Sequence, residues 1–94
     1  MQDYSPEFLR RFRNEISWLE LLARLKWPHK HREGRLVFQC PACREMLTGV
    51  NDKTNLGRCF RCKKNWNPID FTMEVWDVEF KSAITVLESL LPTC

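Results

Sequence analysis

The sequence predicts an α+β fold in which a small three-stranded antiparallel sheet lies between one N-terminal helix and two C-terminal helices. Apolar residues recur every three or four positions near both ends of the chain, as they do in amphipathic helices. Short alternating segments occupy the middle of the chain, where two Cys-x2-Cys pairs also lie. With 94 residues, the chain is expected to form a single domain over 1–94.

The N-terminal helix begins at a capping signal. Ser5 is the expected N-cap, and Pro6 fits the first helical position, where a missing N–H breaks no hydrogen bond. The apolar spacing then predicts one helix over 6–25, or two short helices that meet near Asn14. Pro28 restricts the residue before it, so the helical segment ends there.

The sheet is expected to lie within 35–62. Its first strand alternates over 35–40, with Leu36, Phe38 and Cys40 on one side. The rest of this part of the chain is interpreted as strands over 46–50 and 56–60, a hairpin tip at 51–55 and, before the first strand, a polar basic turn at 29–35.

The C-terminal part repeats the capping signal. Asn67 is the expected N-cap and Pro68 the first residue of a helix over 68–76. A second helix is predicted over 79–91, after a break. The apolar residues of both helices are expected to share one core.

Charge is divided unevenly along the chain. Residues 24–64 carry eleven basic and three acidic side chains, net +8, whereas residues 65–94 carry one basic and five acidic, net −4. A scattered basic surface would serve solubility alone. Basic charge concentrated in one segment indicates a face that binds a polyanion.

No segment has the roughly 20 consecutive apolar residues of a membrane-spanning helix, so no membrane partner is expected. The N-terminal residues also lack the apolar region of a secretory signal. We therefore expect a cytoplasmic protein whose thiols stay reduced or bind metal.

Four of the five cysteines form two pairs, Cys40 with Cys43 and Cys59 with Cys62, separated by fifteen residues. This spacing is typical of a site in which each pair, on a tight turn called a knuckle, gives two thiolates to one tetrahedral metal ion. The pattern predicts one structural Zn²⁺, because four thiolates leave no open position for water or substrate.

Other roles for the cysteines are weaker. An iron–sulfur cluster also uses four cysteines, but a redox pair requires a helix start after a strand. Disulfides conflict with the expected reducing compartment. His29 and His31 are interpreted as solvated loop residues, and Cys94 as a free terminal thiol.

The stretch that runs from FQCPAC through VNDKTNLGRCFRCKKNWNPIDF to ITVLESLL resembles the N-terminal zinc-binding domain of bacterial DNA primases. In that family two knuckles lie on a three-stranded ribbon, and helices with a recurrent apolar spacing follow. The resemblance covers roughly residues 6–91, and it implies a module that contacts single-stranded DNA as the template of primer synthesis in replication. The positions that match the helical spacing are Asn67, Ile69, Phe71, Met73, Phe80, Ala83 and Leu87.

The chain also departs from the family. Cys43 stands where histidine is usual, Gly57 stands where an aromatic residue is common, and other residues replace frequent glycines, namely Arg61, Lys63 and Trp66. The family's catalytic domain and an acidic cluster for magnesium have no counterpart in this sequence. We therefore expect the chain not to be an enzyme by itself, and at most the non-catalytic domain or subunit of a primase.

Residues near the second knuckle suit single-stranded DNA independently of the resemblance, because cations can follow phosphates while aromatic faces stack on bases. Two of them have a structural alternative: Phe60 packing on a helix, and Trp66 filling the core. The expected contacts are Arg58, Phe60, Arg61, Lys63, Lys64 and Trp66, with Arg35, Arg44 and Lys53 extending the basic track.

The sequence thus predicts a zinc module that binds single-stranded DNA and assists another replication protein. The main alternative is a protein–protein adaptor of the same fold. Its helices would dock a helicase, a primase catalytic subunit or another replication or recombination protein. Steep salt dependence of DNA binding would favour the first function over the second.

Overall fold

The computed structural model describes residues 5–91 and has the predicted α+β fold. Within these residues, four helices pack on one side of a five-stranded antiparallel sheet, in which neighbouring strands follow one another along the chain. The helices are α1 (Pro6–Asn14), α2 (Trp18–Leu25), α3 (Pro68–Trp76) and α4 (Phe80–Glu88). The strands are β1 (His29–Arg32), β2 (Arg35–Phe38), β3 (Thr48–Asn51), β4 (Leu56–Cys59) and β5 (Asn65–Trp66).

The N-terminal segment forms two helices, so the prediction of one helix over 6–25 is wrong and its two-helix alternative is confirmed. The Ser17 hydroxyl accepts a hydrogen bond from the Glu20 N–H at 3.3 Å and caps α2. This second start shifts the helical phase, so that Ile16 and Trp18 are buried while Leu19 is 44% exposed.

The sheet has two more strands than predicted, one at each edge. The segment interpreted as a polar turn contains β1, because Glu33 and Gly34 both adopt positive φ angles, 51° and 77°. Two such residues form a tight hairpin turn, which folds β1 back onto β2. The other added strand, β5, pairs with β4 through only two residues.

The C-terminal helices begin where the capping signal predicts. The Asn67 side chain accepts a hydrogen bond from the Asp70 N–H at 2.8 Å, and α3 has its predicted bounds. The α4 helix is shorter than predicted, since it ends at Glu88. Ile84 and Leu87 are fully buried in the shared core.

An aromatic cluster joins the inner face of the sheet to the helices. Trp18 stacks on Phe38 with ring centroids 4.8 Å apart, and Phe71 meets Phe38 edge-on at 5.0 Å. Trp27 meets Phe71 edge-on as well, at 5.8 Å. These rings fix the sheet against α2 and α3.

Asn55 attaches the tip of the β3–β4 hairpin to the junction between α1 and α2. Its amide donates hydrogen bonds to the carbonyl oxygens of Arg13 and Ile16, at 2.8 and 2.9 Å. The backbone carbonyl oxygen of Asn55 accepts a hydrogen bond from the indole N–H of Trp18 at 2.8 Å. The N-terminal helices therefore hold the ribbon at its far end from the cysteines.

Gly57 is required by packing at the inner face of the sheet. A Cβ at this position would lie 2.7 Å from Cζ of Phe38 and 3.0 Å from Cγ2 of Thr48. The Phe38 ring therefore occupies the space that an aromatic side chain at position 57 would need. None of the helices within residues 5–91 has both the length and the apolar character to cross a membrane.

Candidate metal centre

The four paired cysteines meet at one point, close enough to hold a single metal ion. Their sulfur atoms all lie within 4.8 Å of one another. The distance between Sγ of Cys40 and Sγ of Cys62 is 3.9 Å, and that between Cys43 and Cys59 is 3.6 Å. Four sulfurs around a tetrahedral ion with bonds of about 2.3 Å would be about 3.8 Å apart, so the cluster fits such an ion.

The first knuckle follows β2 and is closed by backbone hydrogen bonds. The Arg44 N–H donates to the carbonyl oxygen of Cys40 at 2.8 Å, and the Cys40 N–H donates to that of Glu45 at 2.9 Å. Arg44, directly after the second cysteine of the pair, has a positive φ of 66°. The left-handed residue turns the chain back, so that both thiols point to the same place.

The second knuckle, at the end of β4, repeats this conformation. The Lys63 N–H donates to the carbonyl oxygen of Cys59 at 2.8 Å, and the Cys59 N–H donates to that of Lys64 at 3.0 Å. Lys63 has a φ of 57°, equivalent to that of Arg44. A position that elsewhere favours glycine thus carries a cation in both knuckles.

The environment of the thiols differs across the cluster. Burial raises the pKa of Cys40, but N–H groups of Cys43 and Ala42 outweigh it, and its pKa falls to about 7. Contact with the Cys43 thiol, followed by desolvation, raises the pKa of Cys62 to about 12. Cys40 therefore ionises more readily than Cys62, whose thiol holds its proton until a cation replaces it.

Neither the protein-family models nor the curated proteins include a match to this chain. The interpretation of the site therefore rests on its geometry and on the surface around it.

The outer face of the sheet, turned away from the helices, is basic. Residues that pair directly across strands point to the same side, and one such row contains Lys30, Val37, Gly49 and Arg58. A second pair of this face is Arg32 with Arg35. We call the four cations Lys30, Arg32, Arg35 and Arg58 the basic sheet face.

Sequence reasoning found only Arg35 and Arg58 of this set. It missed Lys30 and Arg32 because their segment was interpreted as a turn. The signal was present, since His-Lys-His-Arg places its two cations two residues apart, on one side of a strand. His29 and His31 also belong to β1, so their assignment to a loop is wrong. Neither histidine is part of the cysteine cluster.

A groove of roughly 340 Å³ lies on this face, between the β1–β2 hairpin and the second knuckle. Phe60 forms one wall and is 62% exposed, so the structural alternative that it packs on a helix is wrong. We call this space the outer-face groove. Its other lining residues include Glu33, Arg35, Val37, Met46, Leu47 and Gly49.

Two of the predicted contacts lie away from the groove. Trp66 is only 2% exposed, which supports the core alternative and leaves no ring face for a base. The Lys64 ammonium lies 4.4 Å from the centre of this ring and lines a cleft beside α3 with Asp70 and Glu74. The structure therefore separates this pair from Arg35, Arg58 and Phe60.

The remaining predicted contacts, Arg61, Lys53, Lys63 and Arg44, do not line the groove. Arg61 forms an ion pair with Glu45 at 3.2 Å, which links the second knuckle to the end of the first. Lys53 lies at the tip of the β3–β4 hairpin, in a depression that it shares with Arg35. Arg44 is exposed on the first knuckle. Cys94, which was interpreted as a free terminal thiol, lies outside the described residues.

Proposed function

We propose that this protein is a zinc-stabilised binding module for single-stranded DNA, of the kind found in primases, and that it does not act as a catalyst by itself. The basic sheet face is the observation that carries the proposal. Its four cations project from β1, β2 and β4 on one side of the sheet.

The four cysteines are proposed to hold one structural Zn²⁺. Thiolates are preferred zinc ligands, and four of them complete a tetrahedral shell. Zinc there would supply folding free energy and would fix the positions of both knuckles. The buried state of Cys40 and Cys59 supports this role, because a closed and partly dry shell suits a structural ion better than a reacting one.

The arrangement of charge favours a polyanionic ligand. Arg32 and Arg35 stand directly opposite each other across the β1–β2 hairpin, and like charges in such pairs destabilise a sheet. Phosphates bound along this face would offset that repulsion. The exposed Phe60 beside it favours single-stranded over duplex DNA, since unpaired bases offer faces for stacking.

Fluorescence anisotropy with labelled single-stranded and duplex oligonucleotides tests this proposal. Phosphate contacts of the four cations in the basic sheet face contribute about −3 to the log–log salt slope for the single strand, which is an affinity loss of about 50-fold between about 50 and 200 mM salt. A variant with glutamine at Lys30, Arg32, Arg35 and Arg58 should flatten this slope. The matched control removes four exposed cations from the helices, as glutamine substitutions of Arg10, Arg13, Arg24 and Lys81.

The proposal requires the helix control to keep the wild-type slope. Absent or salt-independent binding, or equal losses in both variants, would contradict it.

A docking role for the helices remains the second candidate. Trp76 is 42% exposed at the end of α3, and the same helix exposes Asp70 and Glu74. An aromatic side chain among acidic ones suits a basic protein segment. In that case, Trp76→Ala would weaken binding of a protein partner and leave oligonucleotide binding unchanged.

A further inference from the structure

We propose that the outer-face groove holds one unstacked nucleobase of the bound strand, with Phe60 as its stacking partner and Gly49 beneath it. The inference rests on the proposed function and names the part of the surface that holds a base. It does not follow from the cations alone, which would bind phosphates anywhere along the sheet.

Phe60 is held in place although its ring is exposed. It lies between the two cysteines of the second knuckle, and its N–H donates to the carbonyl oxygen of Leu47 at 3.2 Å. The backbone is therefore fixed from both sides, by the cluster and by the segment that leads into β3. An exposed aromatic ring on a fixed backbone at the edge of a groove is a stacking surface that loses little backbone entropy on binding.

Gly49 leaves the floor of the groove open without any demand from the backbone. A Cβ there would meet only the Arg35 side chain, at 3.6 Å or more, which is an ordinary contact. Gly57, its counterpart on the inner face, would instead clash with Phe38. The Arg35 side chain therefore lies over part of Gly49, and the open volume of the groove beside it is available to a flat ring.

The lining of the groove combines apolar walls with charged side chains, which suits a flat ring that carries phosphates. Val37, Met46 and Leu47 give the groove apolar walls, and Arg32 and Arg35 line it as well. The Glu33 carboxylate also lines the groove and would repel a phosphate placed within it. A nucleotide meets these conditions if its base enters the groove and its phosphates remain on the basic sheet face.

The size of the groove agrees with a single base. Its volume of roughly 340 Å³ is near the lower end of the range of about 300–1,000 Å³ for small-molecule sites. The surrounding sheet face offers phosphate contacts on both sides of it, from Arg35 towards Lys53 and from Arg58 towards the second knuckle.

Oligonucleotides of equal length and charge, one normal and one abasic, separate the groove from the cations. The wild-type protein should bind the normal strand about 5- to 150-fold more tightly, the range for one stacked base. Phe60→Leu keeps an apolar side chain but removes the ring, and Gly49→Val fills the floor. Both should bring the ratio close to one, and Phe60→Leu should leave the salt slope unchanged, while Phe60→Tyr should keep the wild-type ratio.

The variants are first checked for metal content and circular dichroism, and Gly49→Ala replaces Gly49→Val if the larger residue unfolds the protein. A wild-type ratio of one, with steep salt dependence, would overturn the base site but keep the proposed function. An unchanged ratio in Phe60→Leu would overturn it as well. No binding to either oligonucleotide would overturn both proposals. If a free nucleoside monophosphate competes as well as the normal oligonucleotide does, the ligand of the groove is a mononucleotide and not a DNA strand.

Discussion

The two knuckles have the same backbone and different surfaces. Each closes with hydrogen bonds of 2.8 Å and of 2.9 or 3.0 Å, and each places a cation at a left-handed position after its second cysteine. Between the cysteines, however, the first knuckle carries Pro41 and Ala42, and the second carries Phe60 and Arg61. Metal binding constrains the turn but not the side chains within it, so the second knuckle is free to serve recognition.

Removal of the metal is expected to have the largest effect on the stability of the fold. Loss of a ligand from either knuckle should destabilise the protein equally. Zinc binding of about 10–16 kcal/mol matches or exceeds the whole stability of a small domain, about 5–15 kcal/mol. Cys40→Ser and Cys59→Ser should therefore both unfold the protein, as should a strong chelator. Far-ultraviolet circular dichroism with and without chelator measures this, and a chelator-treated protein that keeps its helices would disprove the structural role.

Gly57→Ala should destabilise the strand that leads into the second knuckle. The added Cβ would lie 2.7 Å from the Phe38 ring, and overpacking of this kind costs about 1–3 kcal/mol. Gly49→Ala lies on the outer face of the adjacent strand, where a Cβ makes only an ordinary contact with Arg35. It is the matched control and should change the free energy of unfolding by less than about 1 kcal/mol. Urea denaturation compares the two, and equal effects would show that the inner face is not closely packed at Gly57.

The left-handed cations allow the knuckles to be compared without loss of the fold. Arg44→Gly and Lys63→Gly should each relieve strain and change the free energy of unfolding by at most about 1 kcal/mol, to a similar extent. Only Lys63→Gly should reduce the salt slope of single-stranded DNA binding, by about 0.7. An equal reduction in Arg44→Gly would show that both knuckles face the strand.

The ion pair between the knuckles should have the smallest effect. Arg61 and Glu45 are both more than half exposed, so Glu45→Gln should alter the free energy of unfolding by less than about 1 kcal/mol. The Glu45→Gln substitution also releases Arg61 and removes a negative charge near the proposed DNA site. DNA affinity should therefore rise at low salt and return to the wild-type value at high salt. A decrease in affinity at low salt would mean that the pair positions Arg61 for binding.

Local signals made the metal ligands and the helix starts predictable from the sequence. Cysteine spacing alone identified the cluster, and Ser5 and Asn67 identified the starts of α1 and α3 through their short-range hydrogen bonds. The break between α1 and α2 was harder to predict, because in the sequence the apolar residues of α2 continue the spacing of those in α1.

The surface depends on strand pairing, which the sequence does not specify. Phe60 and Trp66 both lie near the second knuckle and looked equivalent. The register pairs Trp66 with Gly57 on the inner face, where the glycine leaves room, whereas Phe60 lies beyond the end of β4 and remains exposed. The outer-face groove likewise requires Gly49 to pair with Val37, which follows from the hairpin turns and not from composition.

Native mass spectrometry of the protein with a short single-stranded oligonucleotide tests the central claim most directly, since it weighs the metal and the strand together. The account predicts a chain carrying one zinc ion and forming a complex with the oligonucleotide, which is lost when zinc is removed. A folded chain without metal, or a zinc-loaded chain that forms no complex with the strand, would contradict it.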